Sequence, residues 1–276
     1  MTEKVMNKEM PKISEDNDKY EFTDEYITVE IDGKKHTLYR IRAKKDIIVN
    51  GILVAKKGEL GGFIEKKDNL DDSSNAWVFG NAKVFGNAKV FGNAQVFGDA
   101  MVYGNAMVYG NAQVFGNAKV YDNAKVYGNA TVYGNATVYS DVQVSGNARV
   151  SGNAWIFGDA RVFDDAQVYG DAWVYGNAIV YGNATVYDNA WVYENAMVYG
   201  NAMVYGNAQV YGNAKVYDNS KVFGDATIYG NAKVYGDAQV FGNAKVSGNA
   251  WVDADVTDIR SSGDITDVDY VKAKRP

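Results

Sequence analysis

Apart from its carboxylates, this chain of 276 residues has few side chains suited to acid–base or metal chemistry. His36 is its one histidine, and there is no cysteine. Zinc sites take several His or Cys ligands, so a protein site of that kind is excluded. A lone histidine can still serve as a general base. Its neighbours, however, predict a strand of a hairpin, and a solvated strand-end residue is the simpler interpretation.

Carboxylates are more numerous, and two groups of them could have a chemical role. Asp159 with Asp165 or Asp171 could form an acid–base pair. A second group could offer oxygen ligands to a hard cation; it consists of Asp122, Asp164, Asp188, Glu194 and Asp218. All of these acids occupy fixed positions of a repeat where other copies have Asn or Gly. A structural role is therefore favoured, and neither a metal nor a cofactor is predicted.

The repeat extends from Asn75 to Val252 and has six positions: Asn, Ala, a variable residue, Val, an aromatic residue and Gly. It occurs thirty times without insertion or deletion. The Ala and Val positions lie two apart, so they share one side of an extended chain, while the variable and aromatic positions share the other. Gly and Asn favour the bend between strands. Such a short fixed period predicts a β-solenoid.

Segments before the repeat show a resemblance to a known family. They are Leu38–Ala43 (LYRIRA), Gly58–Glu65 (GELGGFIE), Asn69–Leu70 and Trp77–Val78. Together with the hexads, over about residues 20–252, they resemble YdcK-like proteins of bacterial and prophage genomes. The hexads resemble the left-handed parallel β-helix of hexapeptide-repeat proteins. The resemblance implies an all-β, single-stranded, left-handed triangular helix of eighteen residues per coil and about ten coils, and a phage or prophage origin.

The same resemblance bears on catalysis. Acyltransferases similar to this fold use a histidine base, and the related carbonic anhydrases use three histidine zinc ligands. This chain offers His36 alone. The sequence therefore predicts a protein that is not an enzyme.

The variable position is where specificity can be encoded. With eighteen residues per coil, every third hexad lies on one face, and Trp155, Trp173 and Trp191 follow one another one coil apart. The remaining residues of the predicted patch are Phe157, Tyr175, Tyr193, Ile179 and Met197, the last two on the adjoining face. Three interpretations remain: a contact surface for self-association or a partner protein, a remnant of tandem duplication, or a site for a flat ligand such as a sugar or nucleobase.

Four segments are predicted from the changes in composition. Residues 1–19 form a disordered tail, and residues 20–74 a small N-terminal β cap in which Gly61-Gly62 is a turn. Residues 75–252 form the β-helix, and residues 253–276 a C-terminal cap or tail. Both ends of a stacked sheet expose unpaired backbone groups, which is why we expect caps.

Charge and composition limit the partners and the location. The net charge of −6 is spread over the chain, with 10 basic and 12 acidic residues in 75–252. Nucleic-acid binding is therefore not expected. Neither a signal peptide nor a membrane-spanning run is seen, and the lack of cysteine fits the cytoplasm, that of a host if the protein is phage-encoded. The leading hypothesis is a non-enzymatic binding or assembly module. The alternatives are a nucleotide- or sugar-sequestering protein and an acyltransferase-like enzyme.

Overall fold

The computed structural model describes residues 17–256 and 270–271. Most of the predicted disordered tail (1–19) and most of the predicted C-terminal tail (253–276) lie outside these residues. The described chain is all-β, as the period of six predicts, and winds through about eleven turns of parallel β-solenoid with a spacing of eighteen residues. Among the described residues, no helix has the length and apolar character needed to span a bilayer.

The strands fall into a non-repetitive cap and a regular rod. The cap contains β1 (Tyr20–Ile31), β2 (Lys34–Ala43), β3 (Ile47–Val49), β4 (Ile52–Ala55), β5 (Leu60–Ile64) and a 3-10 helix, Lys67–Asn69. The rod contains thirty two-residue strands, one per hexad, at intervals of six residues from β6 (Trp77–Val78) to β35 (Trp251–Val252). A last strand, β36 (Tyr270–Val271), follows. Each short strand covers the variable and Val positions of its hexad.

Three sheets form the sides of the rod, and the rod strands within each sheet are parallel. The first sheet runs β1-β2-β5-β7-β10 and onwards in steps of three to β34; the second joins β8 to β35 and β36; the third joins β6 to β33. Pairing keeps an eighteen-residue register, so Met101 pairs with Lys119 and Met107 with Lys125. The first coil begins before the perfect hexads, because Ile64 pairs with Val84 and Leu70 bridges to Val90.

The core is a column of Ala and Val side chains enclosed by the three sheets. Residues at the Val position are fully buried along the whole rod, and those at the Ala position are nearly so. Ser220 replaces an alanine in this column and is also buried. Its hydroxyl donates to the Tyr217 carbonyl at 2.7 Å, which removes the cost of burying an unpaired polar group.

The corners require left-handed backbone. Glycines from Gly80 to Gly248 have φ between +55° and +74°. Space is short as well, because a Cβ at Gly110 would lie 3.0 Å from both the amide nitrogen and the carbonyl oxygen of Gly128 in the next coil. Glycine is therefore favoured twice at most corners, by its backbone freedom and by its lack of a side chain.

Acidic residues at five corners keep the same left-handed conformation, with φ between +57° and +60°. At four of them a side-chain oxygen accepts the amide N–H of the corner in the next coil; these are Asp122, Asp164, Asp188 and Asp218, at 3.2–3.4 Å. An Asp tolerates this region better than most residues do. The hydrogen bond explains why Asp can replace Gly there.

Ladders of asparagine side chains run along all three corners. Each Nδ2 donates to the Oδ1 eighteen residues later, as from Asn111 to Asn129 at 3.0 Å. A carboxylate accepts such a bond but has no proton to pass on. Runs of the ladder accordingly end at aspartates, which are Asp141, Asp165, Asp171, Asp225 and Asp237.

The cap continues the first sheet at its N-terminal end. β1 and β2 form a hairpin at Asp32-Gly33, and β3 and β4 form another at Asn50-Gly51, both with positive φ. The interpretation of Gly61-Gly62 as a turn was wrong, since both residues lie within β5. A Cβ at Gly61 would lie 2.6 Å from Ile41, and one at Gly62 would lie 2.6 Å from the Ala82 carbonyl oxygen. These glycines let the cap strand approach the rod closely.

The cap also covers one residue that the repeat pattern places outside. Trp77 occupies a variable position, where an outward, exposed side chain is predicted, yet it is fully buried. Tyr20 packs edge-on against it at a centroid distance of 6.5 Å. Asn17 and Lys19, assigned to the disordered tail by sequence, are buried too, and the Lys19 ammonium donates to the Asp71 carbonyl.

The far end of the rod is partly covered by residues that follow the repeat. Val256 donates its N–H to the Gln239 carbonyl at 2.7 Å, and its own carbonyl accepts from Phe241 at 3.0 Å. β36 adds a strand to the second sheet beside β35. Residues after the repeat thereby pair with the last strands of the second and third sheets, whereas β34 (Lys245–Val246) is the last described strand of the first sheet.

Crowding at the corners predicts the outcome of a pair of substitutions. Gly110→Ala and Gly236→Ala both place a side chain at positive φ, but only Gly110 has neighbours within 4 Å. We expect Gly236→Ala to lower the free energy of unfolding by about 1 kcal/mol and Gly110→Ala by about 1–3 kcal/mol more. Denaturant unfolding followed by circular dichroism measures both. Equal losses would show that crowding by the next coil does not matter.

The direction of the asparagine ladder predicts a second pair. Asp165→Asn would join the run that ends there to the run that starts at Asn183, and Asn129→Asp would cut a continuous run. We expect opposite changes in the free energy of unfolding, a gain and a loss of about 0.5 kcal/mol each. Urea denaturation measures them without masking charge effects by salt. A loss from both variants would contradict the ladder's role.

Candidate functional site

Three tryptophans form a continuous ladder on the outer side of the first sheet. Trp155, Trp173 and Trp191 begin β19 (Trp155–Ile156), β22 (Trp173–Val174) and β25 (Trp191–Val192), and each pairs in register with the next. Their ring centroids are 5.7 and 5.3 Å apart, with planes within 16° of parallel. The prediction that eighteen residues per coil align these indoles is confirmed.

A second ladder of rings runs beside the first. Phe157, Tyr175 and Tyr193 stack at 4.8 and 4.9 Å, with planes within 4° of parallel. Each later indole also meets the ring of the preceding coil edge-on, Trp173 against Phe157 at 6.0 Å and Trp191 against Tyr175 at 6.4 Å. The six predicted aromatic residues therefore form one packed surface, which we call the tryptophan face.

The tryptophan face presents ring edges to solvent. Each face of the Trp173 indole is covered by a neighbouring indole. Trp155 and Trp191 are nevertheless 38% exposed, and Trp173 is half-buried. Since stacking covers the ring faces, the accessible part of the ladder is its line of C–H and N–H edges. Such a surface is apolar, flat and rigid, with indole N–H groups as hydrogen-bond donors.

Two of the predicted patch residues lie on the adjoining face, as predicted. Ile179 and Met197 pair with each other on the second sheet, around the corner from the indoles. Their neighbours along that sheet are Arg161 on one side and Lys215 on the other. They are half-buried and form a small apolar pair that is separate from the tryptophan face.

Two residues at the ends of the ladder were absent from the prediction. Tyr139 packs edge-on against Trp155 at 6.2 Å, and the Tyr193 hydroxyl donates to Gln209 Oε1 at 3.4 Å. Counting back one coil from Phe157 gives Tyr139, and counting on one coil from Trp191 gives Gln209. The same eighteen-residue spacing would therefore have found both.

Stacked aromatic rings also extend along the other corners of the rod. Tyr187, for example, lies 5.0 Å from Tyr169 and 4.8 Å from Tyr205. Burial raises the pKa of Tyr187, Tyr193 and Tyr199 to about 12, and neighbouring tyrosines and corner acids add to the shift. Burial likewise raises the pKa of Tyr175. The ladder thus favours neutral hydroxyls.

His36 serves the junction of cap and rod. The interpretation as a solvated strand-end residue was wrong, because the side chain is buried. Its Nδ1 lies 2.9 Å from Glu65 Oε1, and Glu65 Oε2 accepts the Gly86 amide N–H at 2.7 Å. The imidazole also packs against Phe85 at 5.0 Å. These contacts tie the hairpin to the first coil.

The candidate acid–base pair is not assembled. Asp159, Asp165 and Asp171 precede strands of the second, third and first sheets, so they lie at three different corners. Asp165 and Asp171 accept ladder bonds from Asn147 and Asn153. Within residues 17–256, no group of three or more His, Cys, Asp or Glu side chains could hold a metal ion. Asp165 and Asp171 thus act as hydrogen-bond acceptors between coils.

The tyrosine ladder predicts a loss of stability in alkali. An ordinary tyrosine titrates near pH 10, and the folded protein raises the pKa of Tyr187 and Tyr193 to about 12. Folding therefore favours the protonated form, and its contribution is complete below pH 10 and is lost as the pH rises towards 12. We expect the midpoint of thermal unfolding to fall across this window, with tyrosinate absorbance appearing late. Titration of all tyrosines near pH 10 in the folded protein would contradict this.

Similarity to known proteins agrees with the geometry. The model of the YdcK beta solenoid repeat matches residues 94–110, 100–116, 124–140, 142–156, 166–182, 178–194 and 196–212. No curated protein matches the chain. A solved structure from Desulfovibrio desulfuricans G20, provisionally described as an acetyltransferase, is 9% identical with a TM-score of 0.17 over 63% of this chain and 64% of that one. The chain thus spans less than two thirds of that protein, and so low a similarity implies no activity. The matches to the YdcK beta solenoid repeat are distributed between residues 94 and 212, which is consistent with a YdcK-like repeat protein.

Proposed function

We propose that this protein is a non-enzymatic β-solenoid that acts as a binding and assembly module, with the tryptophan face as its contact surface. The observation that carries the proposal is the stack of Trp155, Trp173 and Trp191 on one flat side of the rod. Tryptophan is among the residues most enriched in the energetically dominant positions of protein interfaces. Self-association or a partner protein is the expected use.

Rigidity supports the same use. Each indole starts a strand that is paired on both sides, and its ring packs against aromatic rings of adjacent coils. The side chains therefore have little rotamer freedom to lose when a partner binds. Such preorganisation reduces the entropic cost of association.

A protein partner fits the exposed surface better than a flat ligand does. Sugars and bases bind to tryptophan by stacking on a ring face. Both faces of Trp173 are already covered, so a stacking ligand would find only the outer faces at the ends of the ladder. Ring edges, in contrast, pack well against apolar protein side chains. The sequestering alternative therefore receives less support.

The acyltransferase alternative also receives little support. It would assign the role of general base to His36, which is buried and held by Glu65. That side chain already has a structural explanation in the junction of cap and rod. The phage or prophage origin implied by the resemblance stays a prediction.

Sedimentation tests the contact surface. We expect the wild-type protein to associate, and Trp173→Asp to weaken association by at least about 30-fold, as loss of a dominant contact of about 2 kcal/mol would. Trp251→Asp is the matched control, because Trp251 is 43% exposed but lies on the second sheet. Circular dichroism checks that each variant folds. A wild-type monomer, or an assembly unaffected by Trp173→Asp, would contradict self-association through this face.

A further inference from the structure

We infer that the partner of the tryptophan face is a second copy of this chain, lying antiparallel to the first and centred on Trp173. This inference rests on the proposed function and adds the identity and orientation of the partner. It follows from the spacing of the face, the place of the indoles along the rod and the positions of its lysines.

The first argument is the repeat distance. Contacts on the tryptophan face recur once per coil, about every 4.8 Å, and the observed ring distances are 4.8–5.7 Å. A single extended strand lying along the rod would present a side chain to it every 6.6–7 Å or so, which does not match. The outer face of another rod has the same spacing of about 4.8 Å between successive coils, each of which contributes one strand, or rung, to the face. A second copy can therefore remain in register along its whole length.

The second argument is the central position of the indoles. The variable positions of the first sheet are, in order, Lys83, Met101, Lys119, Thr137, Trp155, Trp173, Trp191, Gln209, Thr227 and Lys245. Among the ten hexad strands of this sheet, that of Trp173 has five before it and four after it, and the cap strands β5, β2 and β1 continue the sheet beyond Lys83. A two-fold axis through Trp173, perpendicular to the rod, places Trp155 opposite Trp191 and overlaps nine rungs of the ten. Two antiparallel rods overlap over most of their length only when the two-fold axis lies near the middle of the rod. Two parallel rods can overlap fully wherever the indoles lie.

Overlap matters because of area. A side about 48 Å long and about 16 Å wide, five extended residues across, offers roughly 770 Å² per copy. A stable interface of standard size buries about 800 Å² per partner. The indoles alone would be too small, so a dimer needs nearly the full length of the rod.

The third argument is charge. In a parallel pair, Lys83, Lys119 and Lys245 would each face their own copy, which disfavours association. In the antiparallel pair, Lys119 faces Thr227 and Lys245 faces Met101, while Lys83 extends beyond the overlap. No lysine on the variable positions of this face then opposes another.

One charge works the other way. Asp171 precedes the central rung at a corner, where the antiparallel arrangement brings it near its own copy. It is exposed, and charges at the rim of an interface are screened by solvent. The two carboxylates still repel each other weakly, so removing the charge should tighten an antiparallel dimer. A parallel dimer would place Asp171 opposite the corner at Gly176, where there is no such repulsion to relieve.

Site-specific crosslinking tests the orientation in the full chain, which has no cysteine of its own. Lys119→Cys and Thr227→Cys are made separately and treated with a short bismaleimide, since facing sheets about 10 Å apart are too distant for a direct disulfide. We expect a mixture of the two variants to give several-fold more covalent dimer than either alone. Lys125→Cys, in the same coil as Lys119 but on the second sheet, is the control and should not crosslink.

Each result has a distinct meaning. Strong crosslinking of either variant with itself would overturn the antiparallel orientation and leave the contact surface intact. An assembly sensitive to Trp173→Asp that gives no crosslink in the mixture would overturn the second copy at this face in this register. A wild-type monomer by sedimentation would overturn the proposed self-association itself. As a second measurement, Asp171→Asn should lower the dissociation constant several-fold, and an unchanged constant would count against the antiparallel pair.

Discussion

Parallel pairing of identical corners is the constraint on which the rest of the structure depends. Each corner takes left-handed backbone and lies against the corner eighteen residues later, as Gly110 lies against Gly128. Because the corner has one geometry and no spare volume, the coil cannot lengthen or shorten. The chemistry at every position of the hexad is therefore repeated as a column: Ala and Val inside, Asn and aromatic rings at the corners, and variable residues on the sides.

That constraint explains how much could be predicted from sequence. Where the chain is periodic, counting in eighteens gives the neighbours of any residue, and it predicts the alignment of Trp155 with Trp173 and Trp191. The same periodicity predicts the buried columns and the asparagine ladders. The same spacing also implies contacts that were not predicted, such as that of Tyr139 with Trp155.

Prediction failed where the chain stops repeating. Trp77 has the sequence position of an exposed residue, but the cap folds over it and Tyr20 covers its ring. Gly61-Gly62 has the composition of a turn, yet the glycines are needed where β5 passes close to Ile41 and Ala82. His36 was expected in solvent and is buried against Phe85. Each of these features depends on contacts between segments that are distant in sequence. The spacing of the repeat does not predict such contacts.

The regularity of the rod also bears on whether the tryptophan ladder is merely a copy. Duplication of whole coils would repeat all three sides together. In the coils that begin at Trp155, Trp173 and Trp191, the second side changes from Arg161 to Ile179 to Met197. The third side changes as well, and its residues in the same coils are Gln167, Thr185 and Met203. Indole alone is kept while its neighbours diverge, and the Val and aromatic positions that maintain the fold do not require a tryptophan beside them. Recurrence of tryptophan on one side of three successive coils is what the proposed contact surface predicts, and duplication of whole coils does not predict it.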